Sequence, residues 1–376
     1  MDIFRGIAIL LIVFHHLLPR GCYGTAVDFL IVKSALGVQI FFVIGGYGIS
    51  AAVSKIIGQK KAAFYFLKKR FSRIYLPYLF SLIFIVLVFP TIAALGSFLK
   101  GQPFIFNFQS HLYNNTFLEW IKIITLTQVF SSINHEVAHA FDSFNTPIWY
   151  ISIIVQCYLA ITVSLLFKKS HYYKIIFFLS IVSILTMIPS VAMFIPSGLF
   201  LPFWPQFSIG ILLFYVINKG LTIPPNWVKI KRNYFFFIGV FLIISFSSFY
   251  YFFSLFFFCI VIGFLFWLLL PIDGILINYP PLKSFLGLGK FSYSLYILHD
   301  PLAKFIKLFI KNLVPLPLAV TSPIFVIPLV ITFSYLWYLF FEKPGSPYKV
   351  TIAVLSPLKT IKNAYTQKVP VNVQWS

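Results

Sequence analysis

Arg5 and His16 stand eleven residues apart inside one apolar run near the start of the chain. Eleven helical steps of about 100° return to within ~20°, so on a helix both side chains share one face, about 16 Å apart along the axis. Histidine is the side chain best suited to move a proton near neutral pH. An arginine at the mouth of the same face suits a phosphate-bearing ligand. The plainer reading makes His16 a packed histidine bonded to a neighbouring helix and Arg5 a topology anchor, and spacing alone does not separate the two. His15 points ~100° away and is the weaker candidate. A second constellation, His135-Glu136-Val137-Ala138-His139, places two imidazoles one helical turn apart with a glutamate between them. That is the pattern of a zinc hydrolase with Glu136 as base, although no third ligand follows beyond Asp142. The expectation is that the chain holds no metal.

The elements that must position these residues are membrane helices. Hydrophobic residues make up 60% of the 376 positions, charged residues 10%, and phenylalanine alone occurs 48 times. A soluble domain of this length carries about a quarter charged residues. The apolar runs repeat along the chain, each near the ~20 residues that cross a bilayer core as a helix. Runs without strict alternation select helices over a β-barrel. The fold class expected is all-α and polytopic, with about ten transmembrane helices near 4–22, 30–54, 74–95, 146–167, 175–195, 204–218, 233–251, 252–270, 290–311 and 319–341. The formal charge of +21 is scattered over short connections, which argues against nucleic-acid binding and for loops held on the cytoplasmic side. With the basic connections inside, both termini are cytoplasmic. The first run reads as a retained helix and not a cleaved signal. Cys22, Cys157 and Cys259 lack the spacing of a metal site or redox pair. One long outer loop, about 96–145, contains an amphipathic stretch from Phe117 to Phe130 with Trp120 and Lys122 suited to the interface. Residues 1–345 form the transmembrane domain and 346–376 a cytoplasmic tail.

Several blocks follow in order. Asp2-Ile3-Phe4-Arg5-Gly6-Ile7-Ala8 leads to His16, and Phe41-Phe42-Val43-Ile44-Gly45-Gly46-Tyr47 lies in the second span. Arg70-Phe71-Ser72-Arg73-Ile74-Tyr75-Leu76-Pro77 precedes the third, and Asn145-Thr146-Pro147-Ile148-Trp149-Tyr150-Ile151-Ser152 opens the fourth, with Gln156 and Tyr158 following. The ninth carries Gly289-Lys290-Phe291-Ser292-Tyr293-Ser294-Leu295-Tyr296-Ile297-Leu298-His299, and Glu342-Lys343-Pro344 ends the tenth. In this order the blocks resemble the membrane acyltransferase family three, the type that O-acetylates bacterial surface polysaccharides. Two departures stand out. Gly45 occupies a position where the family usually has serine, and Ile154 and Val155 replace a pair of glutamates found in many members.

The resemblance implies an acyl coenzyme A donor, acetyl by family habit, as co-substrate with no permanently bound cofactor. It implies a hydroxyl acceptor, a glycan, approached from outside, in a multi-pass protein of the bacterial cytoplasmic membrane. Arg5, Arg70 and Arg73 then meet the coenzyme A phosphates at the inner mouth. His16 takes the acceptor hydroxyl proton as general base, or carries the acyl group itself. Asp2, Trp149, Gln156, Ser292, Tyr293, His299 and Glu342 are supporting polar residues that stabilise an oxyanion, orient His16 or tie helices together. His135, Glu136 and His139 fall on the acceptor side. The competing classes are a transporter or flippase, favoured by interior polar residues and by Pro189, Pro196, Pro202 and Pro205, and the zinc hydrolase.

Overall fold

A computed structural model of the chain describes residues 1–99, 116–133, 145–192, 194–196, 198–218, 251–269, 278–313 and 323–343, and these are mostly helical, with turns between the helices and no strand among them. Helix α1 runs Asp2–Leu17, five residues short of the expected end. The reason is local: Leu18 precedes Pro19 and is extended, at φ −79° and ψ 131°, as the residue before a proline must be to spare the pyrrolidine ring. His16 therefore stands in the last turn of α1. Gly21 and Gly24, both at positive φ, turn the chain into α2 (Thr25–Lys33). A 3₁₀ turn at Ser34–Leu36 carries the chain on into α3 (Gly37–Val53).

The basic segment expected as an inner loop is instead helical. Helix α4 (Ala62–Arg70) passes through a single π segment, Phe71–Tyr75, into α5 (Leu76–Leu99). Ala, Leu, Lys and Arg are strong helix formers, and nothing between Ala62 and Arg70 breaks the run. Helix α6 (Phe117–Thr125) begins at a capping box in which Thr116 and Glu119 satisfy each other's backbone N–H groups, and it lies within the expected amphipathic stretch. Its last carbonyls accept from two tyrosines where the π segment meets α5: Tyr78 Oη donates to Ile123 O and Tyr75 Oη to Ile124 O, each at 2.7 Å. The segment expected outside thus folds back to the first turn of α5.

The remaining helices are α7 (Trp149–Ser164), α8 (Lys169–Leu185), α9 (Trp204–Asn218), α10 (Tyr251–Leu269), α11 (Pro280–Lys290), α12 (Ser292–Leu313) and α13 (Pro323–Trp337), the last ending in a second π segment, Tyr338–Glu342. Four stretches among the described residues are long and apolar enough to cross a membrane: Thr25–Val53, Ala62–Val88, Leu201–Asn218 and Pro323–Glu342. Trp149–Ser164 and Leu255–Leu269 are apolar but shorter. The outward surface carries large apolar side chains such as Leu87, Leu166, Phe177, Phe178, Leu212 and Ile324, a face suited to lipid and costly in water. The span expected at 233–251 lies, up to residue 250, outside the described residues, as does the tail.

Helices pack backbone to backbone where glycine permits. A Cβ on Gly6 would sit 1.9 Å from Phe285 O and one on Gly289 would sit 1.8 Å from Asp2 O, so α1 and α11 touch along their main chains. Helices α3 and α9 meet the same way, with Gly46 against Phe207 O at 2.0 Å and Gly210 against Val43 O at 1.9 Å. Such close approach replaces the hydrophobic drive that lipid cannot supply. Gly45, by contrast, has its nearest neighbour, Phe207 Cε2, at an ordinary 3.4 Å, so a small side chain fits there. We expect Gly210→Ala to cost about 1–3 kcal/mol or more, since the clash is with backbone, and Gly45→Ala to be neutral. Thermal unfolding of the two detergent-solubilised variants beside the wild type measures the difference.

Candidate active site

A proline on α12 organises the site. Pro301 lacks an N–H, so the Ile297 carbonyl loses its helical donor, and Asn145 Nδ2 takes the place at 3.1 Å. One residue away on the same helix the Tyr296 hydroxyl donates to Pro147 O. These two bonds pin the segment before α7 onto α12 beside His299. The His299 side chain is 0% exposed, and its Nδ1 lies 3.1 Å from Leu295 O and 2.8 Å from Tyr296 O. Carbonyls only accept, so Nδ1 carries the proton and Nε2 presents a bare lone pair on the far side of the ring. Among the described residues Nε2 has no hydrogen-bond partner.

The ring beside it is His16. The two imidazole centroids are 5.3 Å apart at 52°, brought together by the packing of α1 on α12. His15 is occupied elsewhere. Its Nδ1 donates to Ile31 O at 3.0 Å and its Nε2 accepts from Arg20 at 3.2 Å, which fastens the end of α1 to α2. Lys304 and Arg20 lie within electrostatic reach of His16, and Lys304 is bonded to Asp300 at 2.8 Å.

At the other end of α1, Arg5 Nη1 donates to Asp2 at 2.5 Å. Arg70 lies over the rings of Phe66 at 5.4 Å and Tyr158 at 5.7 Å, a stacking that guanidinium favours. Arg70 is within electrostatic reach of Arg73 and Arg5, and Tyr158 of all three. The π segment between α4 and α5 carries Arg73, and such segments recur where a helix re-aims its side chains. Guanidinium groups placed around one tyrosine could together hold a polyanion.

Aromatic rings link the two ends. Tyr158, flanked by the arginines, lies within electrostatic reach of Tyr150, which also senses Arg5. Tyr150 contacts Tyr296 at 5.4 Å and Phe42 at 4.8 Å, and Tyr296 contacts His299 at 5.9 Å. Guanidinium, phenol and imidazole groups therefore follow one another from the Arg5 end of α1 to its His16 end.

The structure thus brings His16 together with His299, and Arg5 with Asp2, Arg70 and Arg73. It places the other candidates in the framework. Gln156 brackets the 198–200 turn, donating to Gly198 O at 2.9 Å and accepting from Phe200 N at 3.1 Å. Ser292 donates to Gly289 O at 3.0 Å, and Tyr293 donates to Ile74 O of the first π segment at 2.5 Å. Glu342, closing the second π segment, accepts from Ser294, and Trp149 packs on Phe203 at 5.5 Å. His135, Glu136 and His139 lie outside the described residues. Asn145, Tyr150, Asp300 and Lys304 were passed over as candidates in the sequence. The signal for the last two was an acid and a base four residues apart, with a proline between, inside an apolar span.

Among comparisons with known proteins, the family described as an acyltransferase domain matches residues 1–342. No curated protein and no solved structure matches the chain.

The Asn145 bond has a checkable energetic consequence. Asn145→Ala leaves a buried carbonyl unpaired and costs about 1–3 kcal/mol. In a Pro301→Ala background residue 301 regains its N–H and satisfies Ile297 from within the helix, so the same substitution costs less than half as much. A double-mutant cycle on thermal stability reads the coupling.

Proposed function

The chain belongs to this acyltransferase family, and from that premise we propose that it moves an acetyl group from cytoplasmic acetyl-CoA to a hydroxyl of an extracytoplasmic glycan. That it is a membrane acyltransferase follows from the family and the apolar helices; donor, acceptor and residue roles are our reading. The observation that carries it is the arrangement along α1, with a cluster of guanidinium groups at one end, a histidine pair at the other, and tyrosine rings between. Coenzyme A has the matching shape, anionic phosphates at one end and a thioester at the tip of a long arm. The ~16 Å from Arg5 to His16 along the helix suits that arm.

In this reading Arg5, Arg70 and Arg73 hold the phosphates, with Asp2 steadying Arg5. Bidentate guanidinium bonds to phosphate give both affinity and register. His16 then lies beside the thioester and takes the acceptor hydroxyl proton as the oxygen attacks the carbonyl carbon. The C–S bond breaks, and the thiolate takes that proton from His16 as free coenzyme A leaves. Ten spans with both termini cytoplasmic put the arginines on the donor side, in a bacterial inner membrane. No permanently bound cofactor is needed for the transfer.

The first test is chemical. Mass spectrometry of surface glycans from matched strains with and without the gene should find an O-acetyl group lost in the deletion and restored by the wild-type gene. In purified protein, His16→Ala should lower kcat for coenzyme A release by about 10²–10⁴-fold. Arg70→Gln should act mainly on KM for acetyl-CoA, by about 10-fold, as expected for a ground-state phosphate contact. Unchanged glycans in the deletion strain, or full turnover by the His16 variant, would sink the reading.

A further inference from the structure

Mechanistically, an imidazole that takes a proton becomes a cation, and in a dry site that cation needs a hydrogen-bond acceptor behind it. In the familiar triad an aspartate fills this role. Here the group behind His16 is a second imidazole. His299 is fully buried, its Nδ1 proton is spent on the carbonyls of Leu295 and Tyr296, and its Nε2 lone pair is unpartnered among the described residues. The ring centroids are 5.3 Å apart at 52° and no hydrogen bond joins the two rings in this structure, so the bond is one that a small rotation of the His16 ring completes as it takes up a second proton.

We propose that His299 is the positioning residue for His16, its Nε2 accepting the hydrogen bond of the His16 imidazolium formed during acyl transfer. The inference rests on His16 being the base. The proton balance is simple: one nitrogen of His16 takes the acceptor hydroxyl proton and later delivers it to the departing thiolate. The other keeps its own proton throughout and donates it to His299 Nε2, so His299 gains no proton overall. The anchoring of Nδ1 matters because it forbids the tautomer that would present an N–H to His16. The Pro301 break beside it draws Asn145 and, through Tyr296, Pro147 onto the same turn of the helix, which holds the ring in place. Asp300 lies within electrostatic reach of His299 and is bonded to Lys304, so the nearest carboxylate is engaged beside the pair and does not replace the imidazole.

Two substitutions separate positioning from packing. His299→Asn keeps an amide donor where Nδ1 was and removes the Nε2 acceptor. His299→Gln places an amide oxygen near the position of Nε2. Turnover is measured as coenzyme A release from acetyl-CoA, with alkali-treated surface polysaccharide of the source cells as acceptor, alongside melting temperature. We expect His299→Asn to fold and to lose on the order of 100-fold in kcat at unchanged KM for acetyl-CoA, and His299→Gln to recover about 10-fold of that loss. Wild-type kcat in His299→Asn overturns the proposal. So does a loss shared equally by both variants and accompanied by a lowered melting temperature, which is what packing alone would give. If the wild-type protein itself releases no coenzyme A, the donor assignment falls and this inference with it; if the wild type turns over and the Asn variant matches it, only the positioning role falls.

Discussion

Away from water every backbone carbonyl that loses its helical donor must find another, and in this protein one such carbonyl, at the buried Ile297, sets the geometry of the site. Pro301 releases the oxygen of Ile297, and Asn145 crosses from the start of α7 to satisfy it. The bond is a small one, but it has no aqueous alternative. It fixes where α7 begins relative to α12, and so it sets Tyr150 against Tyr296 and Tyr296 against His299. The same economy governs the ring of His299, whose Nδ1 is held by its own helix. Its Nε2, buried beside His16, is among the buried polar atoms of the described residues that no hydrogen bond satisfies.

The second constraint is close helix approach. Between helices in lipid, apolar side chains gain little by leaving the bilayer, and association relies on packing and hydrogen bonds. Glycines at positions 6 and 289 let α1 lie on α11, and those at 46 and 210 let α3 lie on α9. Helix α1 is thereby fixed against two partners, α11 at its start and α12 near its end. A helix held at both ends keeps Arg5 and His16, whose separation the helical rise already sets, in place against the side chains of its neighbours. Tyrosine hydroxyls do comparable work around α5, where Tyr75, Tyr78 and Tyr293 donate to the main-chain carbonyls of Ile124, Ile123 and Ile74.

Much of this was legible locally. The shared face of Arg5 and His16 followed from 3.6-residue periodicity, the membrane class from the length and apolarity of the runs, and the family from the ordered blocks. The end of α1 at Leu17 was written in Pro19, although a span of the usual ~20 residues put the expected boundary five residues too far. The helical state of the basic segment Lys68-Lys69-Arg70 is masked by its charge, which suits a loop equally well, whereas long basic side chains are good helix formers whose heads reach water from the edge of a span.

By itself the sequence determined which residues share a helix face, because that depends only on neighbours within a turn or two. It also determined that the chain belongs in lipid, because that depends on composition. It could not say that His299 would stand behind His16, that Asn145 would answer Pro301, or that Gln156 would be used up on the backbone of 198–200. Those pairings join residues 42 to 283 positions apart in the chain. They were decided only by tertiary packing, since a hydrogen bond or ring contact acts over a few ångströms of space and carries no mark in the order of the residues.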